Sequence, residues 1–349
     1  MRRNRRTPAI TLAAALTAAS IALLSVGCAS SEPDSGPAPT TLGSYSVQGA
    51  AGRFDGDIHN NTLAVSPDEK LAVGANSQSG HVRLIALTTG SVLRDLPGYV
   101  TPRNAVFAPD GSGFFLSDSS LGVVDHIGVD GTLLDRFPLG AGAFGTAISP
   151  DGSRLYVNNQ AANTVTVVDL RERRPVAVIT GFAQPRQGIV LSPSRNALYV
   201  TNFADDSIAV VDTSTNTIVR RIGGFDKIRG VSVTSDGARL FAANSGDNTI
   251  SIVDTATGAT VGRVPVGDQP YGATLAPDGS VLLTGDLASS TVTVVDPGAG
   301  TVRTTITGTK RPRQAIAIGR DSTSAWVLNE DLTIAEIDIQ AARVVRTLG

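Results

Sequence analysis

Short runs of alternating apolar and polar residues, broken by turns rich in Gly, Asp, Asn and Pro, fill the chain from about residue 60 to its end. The clearest copy of the pattern starts with Thr146-Ala147-Ile148, a short inner strand, followed by the turn Ser149-Pro150-Asp151-Gly152. Proline presets φ in such a turn and glycine accepts its left-handed position. Leu155 to Asn159 reads as a second strand, and Thr164 to Asp169 alternates at period two as a third. Val176 to Ile179 completes a fourth.

The same unit recurs. Its marker, Ser-Pro-Asp-Gly or a degenerate copy, has its second position at Pro67, Pro109, Pro150, Pro193, Ser235, Pro277 and Arg320, in steps of 42, 41, 43, 42, 42 and 43. Seven four-stranded antiparallel units at a fixed period predict an all-β, seven-bladed β-propeller rather than an open solenoid, which would need capping repeats.

Tyr199-Val200-Thr201-Asn202 spells the signature of the YVTN repeat family of propellers (YncE-like), with near copies at Tyr156–Asn159, Phe241–Asn244 and Trp326–Asn329. That family's second element, N-T/S-h-x-h-V-D, is matched by Asn163 to Asp169, Asp206 to Asp212 and Asn248 to Asp254. The chain resembles this family over about residues 60 to 349. The resemblance implies the propeller fold, and exported bacterial and archaeal surface proteins of diverse roles; it transfers fold better than function.

The N-terminal part has a different composition. Arg2, Arg3, Arg5 and Arg6 precede an apolar run from Ala9 to Val26 that ends at Ser25-Val26-Gly27-Cys28. This resembles the lipobox of bacterial lipoproteins. Residues 1–28 are therefore expected to be a lipoprotein signal peptide, with Cys28, the sole cysteine, as the lipidated residue. Residues 29–42, rich in Ser, Pro and Ala, read as a flexible tether, and 43–349 as the propeller. The expected location is the cell envelope, held to a membrane by lipid and facing away from the cytoplasm. The formal net charge of −2 becomes −6 once the four leader arginines are removed, so nucleic acid is not an expected partner.

Three residue groups invite a chemical reading and receive a structural one. Asp169, Asp212, Asp254, Asp296 and Asp338 lie at successive third-to-fourth-strand turns, where a carboxylate accepts backbone N–H groups. Tyr156, Tyr199, Phe241 and Trp326 stand six residues beyond the marker, as blade-to-blade packing. His59, His81 and His126 have no metal-ligand spacing. No catalytic set, metal site or cofactor is expected.

The candidate site lies six or seven residues ahead of each marker, where Asn61, Arg103, Phe144, Arg186, Arg229, Tyr271 and Arg313 stand in order. In a propeller these connections share one face around the channel mouth. Convergent arginines suit a carboxylate or phosphate, and the aromatic pair suits a ring or sugar. Asp205, Asp206, Asp247, Asp286, Glu330 and Asp331 share that face and stand as competing partners for the arginines. The expectation is a monomeric binding module for an anionic envelope ligand or an acidic protein partner, with Arg103, Phe144, Arg186, Arg229, Tyr271 and Arg313 as ligand-binding residues. Two alternatives stand beside it: an enzyme of the lactonase, lyase or quinoprotein propeller type, and a structural envelope protein. An extra strand at Ser44–Val47 is a candidate clasp for the ring.

Overall fold

The computed structural model describes residues 58–349. The leader, Cys28, the tether and the Ser44–Val47 strand lie outside the described residues. The rest forms seven four-stranded antiparallel sheets, each made of four consecutive strands, as the repeat pattern predicts. Blades 1 to 7 span 61–95, 102–138, 143–180, 185–222, 228–265, 274–306 and 316–348.

The marker turn works as its sequence suggests. In blade 3 the Ser149 hydroxyl donates to Asp151 at 2.5 Å, and the Ser149 carbonyl accepts from Gly152 N–H at 2.8 Å. Gly152 sits at φ 68°, a value that a β-carbon penalises. The recurring third-to-fourth-strand aspartates also behave as expected: Asp169 accepts the Arg171 and Glu172 N–H groups, and Asp296 those of Gly298 and Ala299. Every blade carries a register shift between its third and outer strands, which adds twist at the rim of the ring.

The hydrophobic core is divided into seven clusters, and each one lies between two neighbouring blades. Period-two alternation explains this. Along the second strand of blade 4, Leu198 and Val200 pack toward blade 3 while Tyr199 packs toward blade 5. Tyr156, Phe241 and Trp326 likewise fill inter-blade clusters. Each such buried side chain is worth about 1.5–3 kcal/mol.

Ring closure follows the same rule. Blade 7 contains all four of its strands, and Trp326, Leu328 and Leu348 pack against Leu63, Ala72 and Ile85 of blade 1. Arg346 donates to the Leu87 and Thr88 carbonyls at 2.9 and 3.2 Å, and Gly349 N–H to the Gly90 carbonyl at 3.0 Å.

Candidate functional site: the channel mouth

The outer-to-inner connections turn by one local device. Two residues ahead of Phe144, Arg186, Arg229, Tyr271 and Arg313 the backbone is left-handed, at Gly142 (φ 96°), Gln184 (50°), Lys227 (48°), Gln269 (55°) and Arg311 (48°). Register shifts then interrupt pairing between the first two strands of blades 2, 3, 4 and 5, over stretches that contain Arg103, Phe144, Arg186 and Arg229. A bulge of this kind re-aims a side chain, here toward the mouth.

Blades 4 to 7 build an alternating ladder of guanidinium and aromatic groups. Arg186 lies 3.6 Å from the Phe203 ring centroid, and Arg229 lies 4.7 Å from Phe203 and 4.6 Å from Tyr271. Arg313 follows, 5.2 Å from Tyr271. Stacking of this sort occupies the guanidinium face and leaves its edge, with the N–H donors, for other partners. Arg229 Nε donates to Ser245 at 2.9 Å, while its two terminal nitrogens make no hydrogen bond among the described residues. Burial pulls Arg229 below its ordinary value, and the neighbouring Arg313 acts in the same direction against the effect of Tyr271. Burial lowers Arg313 as well. Positive charge is thus concentrated where solvation is poor.

The acids on this face turn to other partners. Asp247 pairs with Arg263 at 2.7 Å, Glu330 with Arg311 at 3.0 Å and Asp331 with Lys310 at 2.7 Å. Asp205 lies 3.9 Å from Arg221, and Asp206 accepts the Ile228 N–H. Asp286 is buried and accepts threonine hydroxyls. Among the described residues, neither Arg229 nor Arg313 forms an ion pair.

Arg103 differs from its counterparts. It is 0% exposed, stacks on Phe144 at 4.7 Å, and donates to Ser119 and to the Ile58 carbonyl at 2.9 and 2.8 Å. The lead-in residues 58–60 run across the mouth and hold it there. Arg313 donates to the His59 carbonyl at 3.2 Å, and Asn60 donates to Gln187 at 3.1 Å. Beneath them a belt of amides bridges the channel. Gln187 donates to Asn104 at 2.5 Å, Asn104 to Thr146 at 2.8 Å, and Gln314 to Asn60 and the Asn61 carbonyl. A cavity of about 40 Å³ remains at the mouth, lined by Phe144, Arg186, Phe203, Arg229 and Tyr271 among others. It holds about one water-sized group.

Four of the six anticipated residues therefore line one cavity, Arg313 flanks it through Tyr271, and Arg103 is locked into the fold. The anticipated set omits Phe203 and the amide belt. Phe203 directly follows the Tyr199–Asn202 signature, and the corresponding residues of the other blades are Ser77, Ser119, Gln160, Ser245, Leu287 and Glu330. That aromatic exception was a readable signal.

Residues 225–343 match the family model described as YNCE-like beta-propeller. The match to the YNCE-like model covers the last three blades almost entirely. No curated protein matches. Among solved structures, a chain of Kuenenia stuttgartiensis hydrazine synthase superposes with a TM-score of 0.74 at 18% identity, covering 84% of this chain and 99% of that one. At that identity the likeness is one of fold alone.

Proposed function

We propose that the protein is a binding module whose channel mouth takes the charged end of an anionic ligand: a carboxylate or phosphate group on an envelope saccharide or polymer, or on a partner protein. One observation carries this reading. Two guanidiniums, Arg186 and Arg229, line one small cavity with Arg313 stacked behind them on Tyr271, and the terminal donors of Arg229 have no acceptor there. An anion would relieve the like-charge repulsion and the desolvation that lower Arg229 and Arg313. The cavity size limits the buried part to about one oxygen of the acidic group, with the rest of that group and the ligand body resting outside.

In the same reading, residues 1–28 direct export and Cys28 carries the lipid that holds the module at a membrane. The mass of the mature N-terminal peptide tests this, because an acylated N-terminal cysteine supports it and an unmodified chain opposes it.

The mouth is tested by thermal unfolding with phosphate, sugar phosphates and uronic acids at two salt concentrations. A ligand at 100 times its Kd stabilises by about 2.7 kcal/mol. A rise in midpoint with one of these classes, absent in Arg229→Gln, supports the site. A shift of equal size in wild type and Arg229→Gln removes it.

A further inference from the structure

A groove of about 740 Å³ opens between blades 2 and 3 on the face opposite the mouth, among the marker turns. Two of its residues differ from their counterparts in other blades. The third-strand position held by His126 in blade 2 is aliphatic in five other blades, as Leu84, Val167, Val210, Ile252 and Val294, each buried in an inter-blade cluster. The paired outer-strand position is Arg94, Arg220 and Arg346 in blades 1, 4 and 7. Each of these clamps the next blade by donating to main-chain carbonyls, at Asp130, Thr255 and Leu87 respectively. Opposite His126 the residue is Asp135, and the clamp is inverted: Arg173 of blade 3 reaches back to Asp135 at 2.6 Å.

These exchanges leave a site with its own chemistry. The His126 ring stacks on Phe115, centroids 4.4 Å apart and planes 14° apart, and Phe137, Ile148 and Leu170 supply apolar lining. His126 Nε2 is enclosed with no partner. Its Nδ1 makes no hydrogen bond among the described residues and is not enclosed, so it is the ring nitrogen left to the groove. Burial lowers His126 below the ordinary imidazole value, which keeps the ring neutral near pH 7. With Asp135 compensated by Arg173, the remaining lining charges are the carboxylates of Asp110 and Asp151 and the single cation Arg171. The balance favours a cationic N–H donor over an anion, the reverse of the mouth.

We propose that this groove is a second binding site, for an amphipathic amine. Its ammonium group is held by the Asp110 and Asp151 carboxylates and by His126, and its apolar body rests on the lining formed by Phe115 and Phe137. The volume falls within the range of small-molecule sites.

The sequence contains three histidines, so imidazole C–H signals of the purified protein are readily resolved by NMR. The probes are phenethylamine, 2-phenylethanol and 3-phenylpropionate, which share a body and differ in charge. The signal absent from His126→Val identifies His126. That variant installs the aliphatic side chain natural to this place in other blades and is expected to fold. Phenethylamine is expected to move the His126 signal saturably, with at least 10-fold weaker binding for the alcohol and the acid. The Asp110→Asn variant, read by the same signal, should weaken the amine about 3- to 10-fold. Binding of phenethylamine to His126→Val, followed by calorimetry, should fall at least 10-fold, and Arg229→Gln should leave it unchanged. Equal response to all three probes, or undiminished amine binding in His126→Val, overturns the proposal.

Discussion

The Asp286 carboxylate accepts the Thr293 hydroxyl at 2.6 Å inside blade 6. A second hydroxyl, from Thr291, reaches the same oxygen at 3.1 Å, while the other oxygen is enclosed without a partner. In blade 5 the corresponding residue is Asn244, which donates to Thr249 at 3.0 Å and Ser251 at 2.8 Å. Burial pushes Asp286 up to about 6 from 3.8. A carboxyl raised on folding contributes stability that is fully present below the unfolded value and is lost as pH rises through the folded one. Unfolding free energy should therefore fall by about 2 kcal/mol between pH 4 and pH 7 on account of this group. Asp286→Asn recreates blade 5 and should abolish that component and raise the midpoint at pH 7. Denaturant unfolding of both proteins across this pH range checks it.

Two mouth arginines should separate cleanly. Arg103→Leu deprives Ser119 and the Ile58 carbonyl of a buried donor, and should cost about 2–4 kcal/mol. Arg229→Gln removes one of two mutually repelling guanidiniums, and should change stability by less than about 1 kcal/mol. Chemical denaturation compares them.

At Gly145 the neighbouring inner strand approaches too closely for an added side chain. A β-carbon at Gly145 would stand 2.6 Å from both the Arg186 and Gln187 carbonyl oxygens. Gly145→Ala should cost about 2–3 kcal/mol. Gly223 has nothing within 4 Å of the same position, and Gly223→Ala should be neutral or stabilising by about 0.4–1 kcal/mol. The difference in thermal midpoint between the two variants measures the crowding at the channel.

Trp326, the only tryptophan, is 6% exposed in the cluster that closes the ring. Trp326→Ala should cost about 3–5 kcal/mol. Its indole N–H has no partner, so Trp326→Phe should cost less than about 1.5 kcal/mol. In the wild type, tryptophan emission should change together with far-UV dichroism, since closure and blade formation depend on one another.

Much of this architecture was legible because turns and alternation act locally. Ser149 to Gly152 specify their own bend, and Tyr199 lies on the opposite strand face from Leu198 and Val200 whatever surrounds them. The depth of each arginine was not legible. Arg103 and Arg229 occupy equivalent repeat positions, yet Arg103 is sealed by residues 58–60 and Phe144, which come from outside its own blade. The partners of the rim acids were not legible either: Asp247, Glu330 and Asp331 pair with Arg263, Arg311 and Lys310. His126 offers the sequence no metal-ligand spacing, and its groove is visible only once Asp135 and Arg173 are seen to exchange roles across a blade boundary.

The seven clusters lie in seams between blades, and no sheet keeps a core for itself. An open row of seven blades would have six seams and two bare apolar faces. Bending the row into a circle gains the seventh seam and removes both faces, without sharing a strand between the first and last sheets. The seam between the first and last blades is then built as the other six are, by side chains rather than by a shared strand.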